Sequence, residues 1–251
     1  MAQPRNFLVR ESPGGVKALI VRGGWDIHSP VEATDSFVPF LTEHGFTVEI
    51  ADDLGAYADS ALMAGVGLIV QCWTEGQLTD EQFAGLDRAV RAGAGFAGWH
   101  GGIVAAFARR DYQWLTGGWF LCHPGDLVAH TLTVTRPDHP ITAGIGEVAL
   151  ETERYWLLAD AHNEVLATIT FPPEEPWREP VEHPAVWTRR WGDGRVFVST
   201  VGHRMSDLDI PEIRTLTERG LLWAAASPTY VAGALDQGSG PNLAPRFDPE
   251  P

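Results

Sequence analysis

The sequence predicts an α/β fold, with a parallel, doubly wound sheet in its first half and antiparallel or mixed strands added to one edge in its second. Three observations predict it. The first 115 residues alternate short apolar, β-rich runs with amphipathic segments in the order β-α-β-α-β-α-β-α, the pattern of a parallel sheet. Beyond them, strand-like segments follow one another with Gly, Pro and Asp between them and almost no helix. A glycine-flanked turn, Gly98-Trp99-His100-Gly101-Gly102, follows one apolar run, as where an α/β protein presents one side chain at the carboxyl edge of its sheet.

Residues 1–16 are polar, with Pro13-Gly14-Gly15 near their end, and are expected to form a loose leader. Residues 17–22 read as the first strand, stopped by Gly23-Gly24. Ser29-Pro30 then opens a helix over 31–44, with Pro39 inside it expected to kink or shift it. Gly45 ends that helix, and 46–50 is the second strand. An acidic, weakly patterned stretch, 52–64, leads to Val66-Gly67-Leu68-Ile69-Val70, an apolar run suited to a strand covered on both faces.

Thr79 and Gln82 carry a capping-box signature, and Phe83, Leu86, Ala89 and Val90 behind them recur at helical spacing. The run from Gly93 into the glycine turn is the fourth strand, with a helix over 103–114 after it. Residues 117–120 read as a loop over the site. The segments 126–134, 147–158, 164–169, 185–190 and 195–201 are strand-like, and 210–226 forms a last helix. From 227 to 251 the composition is that of a wrapping or disordered tail, so one α/β domain is expected over 17–226.

Composition narrows the partners. A chain of 251 residues suits one large domain better than two small ones. Its 18 Lys and Arg face 33 Asp and Glu, a formal charge of −15, and without a basic run nucleic acid is not expected as a partner. Apolar runs such as 65–70 are far too short to span a bilayer, and the amino terminus lacks a signal pattern, so a cytoplasmic protein without a membrane partner is expected. Cys72 and Cys122 belong to no Cys-x-x-Cys pair and read as free thiols.

Ligands of open α/β sheets bind beyond the carboxyl ends of the strands. Three segments end there with unusual side chains: Trp25 and His28, then Trp73, then Trp99 and His100. Many of the ten tryptophans must be core, but three at strand ends suit the apolar face of a sugar ring. In the elbow frame Gly98-x-His100-x-Gly102, the histidine stands in the nucleophile's place. Residues 195–202 form a strand leading to His203, so His28, His100 and His203 are expected to converge, as general acid/base groups or neutral metal ligands.

A lone histidine is more often a satisfied polar residue, and no pair here has the His-x-x-x-His spacing of a helical metal site. Convergence therefore comes through the fold. Glu153, in Thr152-Glu153-Arg154-Tyr155, is the matching carboxylate, as metal ligand or general base, with an exposed strand residue as its plain alternative. Asp26 and Asp207 rank second. His139, before Pro140, reads as turn chemistry, and His123 is left open.

Taken together, Gly98-Trp99-His100-Gly101-Gly102, Gly117-Gly118-Trp119-Phe120 with His123-Pro124, His139-Pro140-Ile141-Thr142-x-Gly144-Ile145, Glu153 with Tyr155, Gly192-x-Gly194-Arg195-Val196-Phe197 and Gly202-His203 resemble the trehalose-utilisation (ThuA-like) family. The resemblance implies a flavodoxin-like fold similar to class I glutamine amidotransferases, with a mixed sheet and helices on both faces. Amidotransferase chemistry does not follow, because His100 replaces the cysteine nucleophile. A thiol hydrolase built on Cys72, which ends a different strand, is a distant third reading.

The implied substrate is a sugar, trehalose or a related disaccharide or glycoside already oxidised to a keto form by an upstream sugar dehydrogenase. His100, His203 and Glu153 are the expected catalytic residues; Trp25, Trp73, Trp99, Gly101 and Tyr155 the expected substrate contacts. His28, His203 and Glu153 are candidate ligands for one divalent ion, zinc or similar, and no nucleotide cofactor is expected. Isomerisation, β-elimination and hydrolysis all fit a histidine that moves a proton beside a polarised carbonyl. The alternative is a non-catalytic sugar-binding or regulatory module, and the sequence leaves homo-oligomerisation open.

Overall fold

The polypeptide builds one nine-stranded mixed sheet because half of its strands are apolar on both faces. The computed structural model describes residues 15–225, so residues 1–14 of the expected leader, the expected end of the last helix at 226 and the expected tail over 227–251 lie outside the described residues. The first half comprises β1 (Val16–Gly24), α1 (Pro30–Asp35), α2 (Val38–Glu43), β2 (Phe46–Ala51), α3 (Ser60–Met63), β3 (Val66–Thr74), α4 (Asp80–Arg91), β4 (Gly95–Trp99), α5 (Gly101–Val104) and α6 (Arg110–Thr116). Then come β5 (Gly118–Cys122), β6 (Leu127–Val134), β7 (Val148–Glu153), β8 (Trp156–Ala159), β9 (Glu164–Phe171), β10 (Val181–Trp191), β11 (Gly194–Ser199), α7 (Met205–Leu208) and α8 (Pro211–Ala225).

The strand order is β2-β1-β3-β4-β11-β10-β9-β6-β7. The first five strands are parallel, and every pairing from β11 to β7 is antiparallel. This is the expected flavodoxin-like, mixed sheet. Alternation along the central strands divides the core into two layers. Ala18 and Ile20 of β1 and Phe197 of β11 join Phe37, Leu41, Leu216 and Leu221 on one face. Leu19 and Val21 of β1 and Val196 and Val198 of β11 join Met63, Leu86, Tyr112 and Leu115 on the other. Helices therefore cover both faces of the parallel half, which explains its unbroken apolar runs.

Four elements differ from the sequence expectation. The helix over 31–44 divides at Ser36-Phe37, and Pro39 lies in the first turn of α2, where its missing N–H costs nothing. The helix over 103–114 divides into α5 and α6, because the carbonyls of Ala105 and Ala106 accept from the N–H groups of Glu75 and Gly76. The strand over 147–158 divides into β7 and β8, leaving Arg154 and Tyr155 between them. Residues 117–120, expected as a loop, enter β5, which pairs with β8 in a separate two-stranded sheet through Trp119 with Leu158 and Phe120 with Leu157.

Among the described residues no helix is long and apolar enough to cross a membrane, and both cysteines are free. The capping box of α4 forms as the sequence indicates: Thr79 Oγ1 accepts from the Gln82 N–H at 3.2 Å, and Gln82 Oε1 accepts from the Thr79 N–H at 2.9 Å. Thr79→Ala is expected to lower stability by about 1 kcal/mol. Urea unfolding of the two proteins measures the difference.

Candidate active site

Parallel strands bring chemistry to one edge. The carboxyl ends of β1, β3, β4 and β11 lie side by side, so His28, His100 and His203, just beyond β1, β4 and β11, share that edge. Four antiparallel steps from β11 through β10, β9 and β6 leave β7 running in the same sense as β11. β6 is attached to β9 only through residues 132–134, and the free end of the β6/β7 ribbon delivers Glu153 to the histidines.

One ligand atom from each of His28, His100, Glu153 and His203 lies within 4.8 Å of the others. His100 Nε2 is 3.1 Å from Glu153 Oε2 and 3.3 Å from His203 Nδ1, which is 3.5 Å from Glu153 Oε1. The ring of His28 stands 4.8 Å from that of His100 and 5.1 Å from that of His203. The convergence expected from sequence is therefore the geometry of the molecule.

His100 is held in a conformation few side chains adopt, with φ 49° and ψ −143°. Such a residue costs about 1–3 kcal/mol and persists only where its surroundings over-determine it. Here they do. Its backbone N–H donates to Ser199 O at 2.7 Å, and its Nδ1 lies 2.9 Å from the carbonyl oxygen of Thr200, which can only accept. Nδ1 therefore carries the hydrogen, and Nε2 faces the cluster, 2.7 Å from the Tyr155 hydroxyl. The other non-glycine residues with positive φ among those described, Ser29, Glu75 and Asp126, border the same site: Ser29 follows His28, Glu75 follows Thr74, and Asp126 pairs with His123.

His28 is fixed by a 2.9 Å hydrogen bond between Nδ1 and Thr74 Oγ1, which leaves Nε2 for the cluster. Burial, reinforced by the neighbouring His100 and His203, pulls its pKa down to about 3. Burial likewise lowers that of His203, again with His100 adding to it. Burial alone would raise Glu153, but the hydrogen bond to His100 and the adjacent imidazoles hold its carboxyl below the usual range. Neutral imidazoles beside an ionised carboxylate are the protonation states that metal ligation requires.

The donor set fits a divalent ion of the zinc type. Ligand atoms in a tetrahedral site with bonds of about 2.0–2.1 Å lie about 3.3 Å apart, close to the 3.5 Å between His203 Nδ1 and Glu153 Oε1, and His28 offers a ring nitrogen within 4.8 Å of the other ligand atoms. The unprotonated Nε2 of His100 and the carboxylate of Glu153 also face one another lone pair to lone pair, an arrangement that a proton or a cation relieves.

The expected sugar contacts divide sharply. Trp25 is 50% exposed with its ring 5.3 Å from that of His28, a platform at the rim. Trp99 is only 2% exposed and packs on Phe37, so it has no face for a ligand; it is core, and the expected substrate contact is corrected. Trp73 is half-buried against the second core layer, with its ring against Gly23 and Gly76. Gly101 contributes space: a Cβ there would lie 2.6 Å from Cε1 of His28. Tyr155 is buried and spends its hydroxyl on His100, so its role lies with that imidazole.

Asp26 is exposed, while His139 accepts from the Ile141 N–H within its own turn. His123, left open by the sequence, has Nε2 3.8 Å from Glu153 Oε1. Cys72 is buried with its thiol pushed up to about 12, which removes it as a nucleophile. Thr74 was not singled out by sequence; its place at the end of a strand beside two other candidate positions was the available signal. Asp207 is buried, and its Oδ2 accepts from Thr152 Oγ1 at 2.7 Å and from the Arg204 N–H at 3.0 Å. It ties the chain neighbours of Glu153 and His203 together.

Residues 17–224 match the profile of the family described as "Trehalose utilisation" (ThuA). The chain belongs to the ThuA family. Among solved structures, this ThuA chain is similar to a protein described as ThuA-like from Bacteroides uniformis, with a TM-score of 0.69 and 19% identity over 88% of this chain and 96% of the other. A second ThuA-like protein, from Parabacteroides merdae, gives 0.67 and 16% over 84% and 90%. Cytoplasmic protein STM1381 from Salmonella typhimurium gives 0.54 and 14% over 83% and 97%. At these identities the structures show a shared fold. No curated protein matches the sequence.

Two measurements follow from the site. Asp207→Ala would strand the buried Thr152 hydroxyl and take the acceptor from the part-buried Arg204 N–H, and is expected to cost about 1–3 kcal/mol in denaturant unfolding. Acid should also destabilise the metal-free protein. His28, His130, His183 and His203 all have folded pKa values below 6.5, so as pH falls through 6.5 the unfolded chain takes up protons that the folded chain refuses, and stability falls. For His28 the loss continues down to about 3, and the lowered carboxyl of Glu153 adds a loss of the same sign below 4.5. Thermal melting followed from about pH 7 to about pH 5 should show a steady fall.

Proposed function

We propose that this ThuA protein acts in carbohydrate catabolism as an enzyme on a keto-sugar, removing the proton beside the ketone and releasing a glycosidic leaving group. The observation that supports it most is the presentation of His100 Nε2, with Nδ1 anchored on Thr200 O, against Glu153, His203 and the Tyr155 hydroxyl. His28, Glu153 and His203 would hold a divalent ion, three protein ligands leaving a position open as in catalytic sites. When bound there, such an ion supplies Lewis-acid polarisation of the keto oxygen.

The remaining chemistry belongs to the side chains. His100 Nε2 takes the proton from the carbon next to the ketone, and the C–H electron pair becomes the double bond of an enolate. Return of that pair to re-form the ketone makes a new carbon–carbon double bond and expels the glycosidic oxygen from the neighbouring carbon. The proton on His100 passes to the departing oxygen, so the sum is an elimination giving an unsaturated keto-sugar and an alcohol. Glu153 Oε2, 3.1 Å from Nε2, steadies the imidazolium formed midway, while Oε1 faces His203. Burial keeps the Tyr155 hydroxyl protonated, with its pKa well above the usual value, so it serves as a hydrogen-bond donor beside Nε2. Trp25 offers the reacting ring an apolar face at the rim.

A cytoplasmic location and an upstream dehydrogenase belong to the same proposal, the latter because a ketone on the sugar must come from oxidation of a hydroxyl. Elemental analysis of the purified protein should find about one divalent ion per chain. His28→Ala and Glu153→Ala should lose it, whereas His100→Ala should keep the ion and lose turnover of a 3-keto-disaccharide by about 100-fold or more. A His100→Ala variant as active as the parent would overturn the assignment.

A further inference from the structure

A cavity of about 640 Å³ lies among the segment after β3, the turn between α5 and α6, and β5, and none of the four cluster residues lines it. Sites for small molecules run roughly 300–1,000 Å³. Its lining includes Glu75 and Gln77 from the segment after β3, Phe107, Gln113 of α6, and Trp119 and Phe120 of β5. These walls are preformed. Glu75 and Gly76 donate backbone hydrogen bonds to Ala105 and Ala106 at 3.1 and 2.7 Å, and Trp119 and Phe120 are held in register by Leu158 and Leu157 of β8.

Two lining residues adjoin residues that contact the cluster. Glu75 follows Thr74, whose hydroxyl bonds to His28. Phe120 packs on Tyr155 with ring centroids 4.4 Å apart, and the Tyr155 hydroxyl meets His100 Nε2. The walls of the cavity are thus one residue removed from the cluster on two sides.

The lining selects a ligand class. Trp119 is 42% exposed and supplies a flat apolar face, while the exposed Glu75 and Gln77 supply a carboxylate and an amide for neighbouring hydroxyls. Gln113 keeps a buried amide oxygen without a hydrogen-bond partner, a standing cost that a hydroxyl donor would remove. The guanidinium of Arg109, which also borders the cavity, is engaged by Asp80 and Asp111 at 2.8 and 2.7 Å. With that cation paired and the carboxylate of Glu75 exposed, an anionic ligand is disfavoured.

We propose that this cavity is the subsite for the second, leaving ring of a neutral disaccharide or glycoside whose reacting ring sits at the histidine cluster. The identity of the reacting ring rests on the proposed function, but binding of a neutral sugar in the cavity can be measured without turnover. Calorimetry of the full chain with unoxidised trehalose, glucose and trehalose 6-phosphate, on the parent, Trp119→Ala and Gln77→Ala, tests it. The parent should bind trehalose more tightly than glucose or the phosphorylated sugar. Trp119→Ala should weaken trehalose at least about tenfold and Gln77→Ala several-fold, with metal content unchanged in both.

Trehalose binding by both variants within twofold of the parent, a preference for the phosphorylated sugar, or no binding by the parent would each overturn the subsite. The two proposals fail separately. A protein that takes up no metal and turns over no keto-sugar, but loses trehalose binding on Trp119→Ala, keeps the subsite and loses the proposed chemistry; active enzyme with unaffected binding in both variants does the reverse.

Discussion

The hydrogen bond from His100 Nδ1 to the carbonyl of Thr200 is the contact on which the site depends. It joins the carboxyl ends of β4 and β11, fixes the tautomer of the imidazole, and aims Nε2 at a carboxylate and a second histidine. The strained backbone at His100 places the ring there, and Gly101 and Gly102 make the strain affordable: a Cβ at Gly101 would strike His28, and one at Gly102 would lie 2.9 Å from the backbone of Cys72. The elbow presents an imidazole at the end of β4, the group to which the proposed function gives the role of base.

Around that contact the fold supplies three kinds of support. Parallel strands deliver His28, His100 and His203 to one edge, while the ribbon of β6 and β7, attached to the sheet over three residues, brings Glu153 back to meet them. Asp207 then locks the ribbon to the loop bearing His203 through Thr152 and the Arg204 N–H. Burial keeps His28 and His203 neutral, while the hydrogen bond to His100 and the adjacent imidazoles hold Glu153 ionised against its own burial. Backbone strain concentrates at the same rim, in the positive φ of Ser29, Glu75, His100 and Asp126, where it holds side chains in place for the site.

Much of this was legible in the sequence, and the rest was not for identifiable reasons. The alternation of apolar runs and helices revealed the parallel half because strands covered on both faces cannot hide their composition. Local capping chemistry at Thr79 and Gln82 was equally plain. The histidine cluster could be read only through the fold, since its members are separated by up to 175 positions and share no local spacing. Tryptophan was a poorer guide. Trp25 and Trp99 both end strands, yet one stands at the rim and the other lies in the core, because the turn after β1 swings outward while β4 ends beneath Phe37. Hydrogen bonds between distant segments, such as Thr74 to His28 or Asp207 to Thr152, leave no periodic trace. Pairing of β5 with β8 was hidden because both strands are short and Tyr155 must turn inward between β7 and β8.

The central claim is that His28, Glu153 and His203 form one ligand set beside a free His100. X-ray absorption at the zinc edge of the zinc-loaded protein tests it most directly. The account predicts a nitrogen and oxygen shell at about 2.0–2.1 Å with imidazole scattering that disappears together with the bound zinc in His28→Ala and persists in His100→Ala. A sulfur shell, or an imidazole signal untouched by His28→Ala, would contradict it.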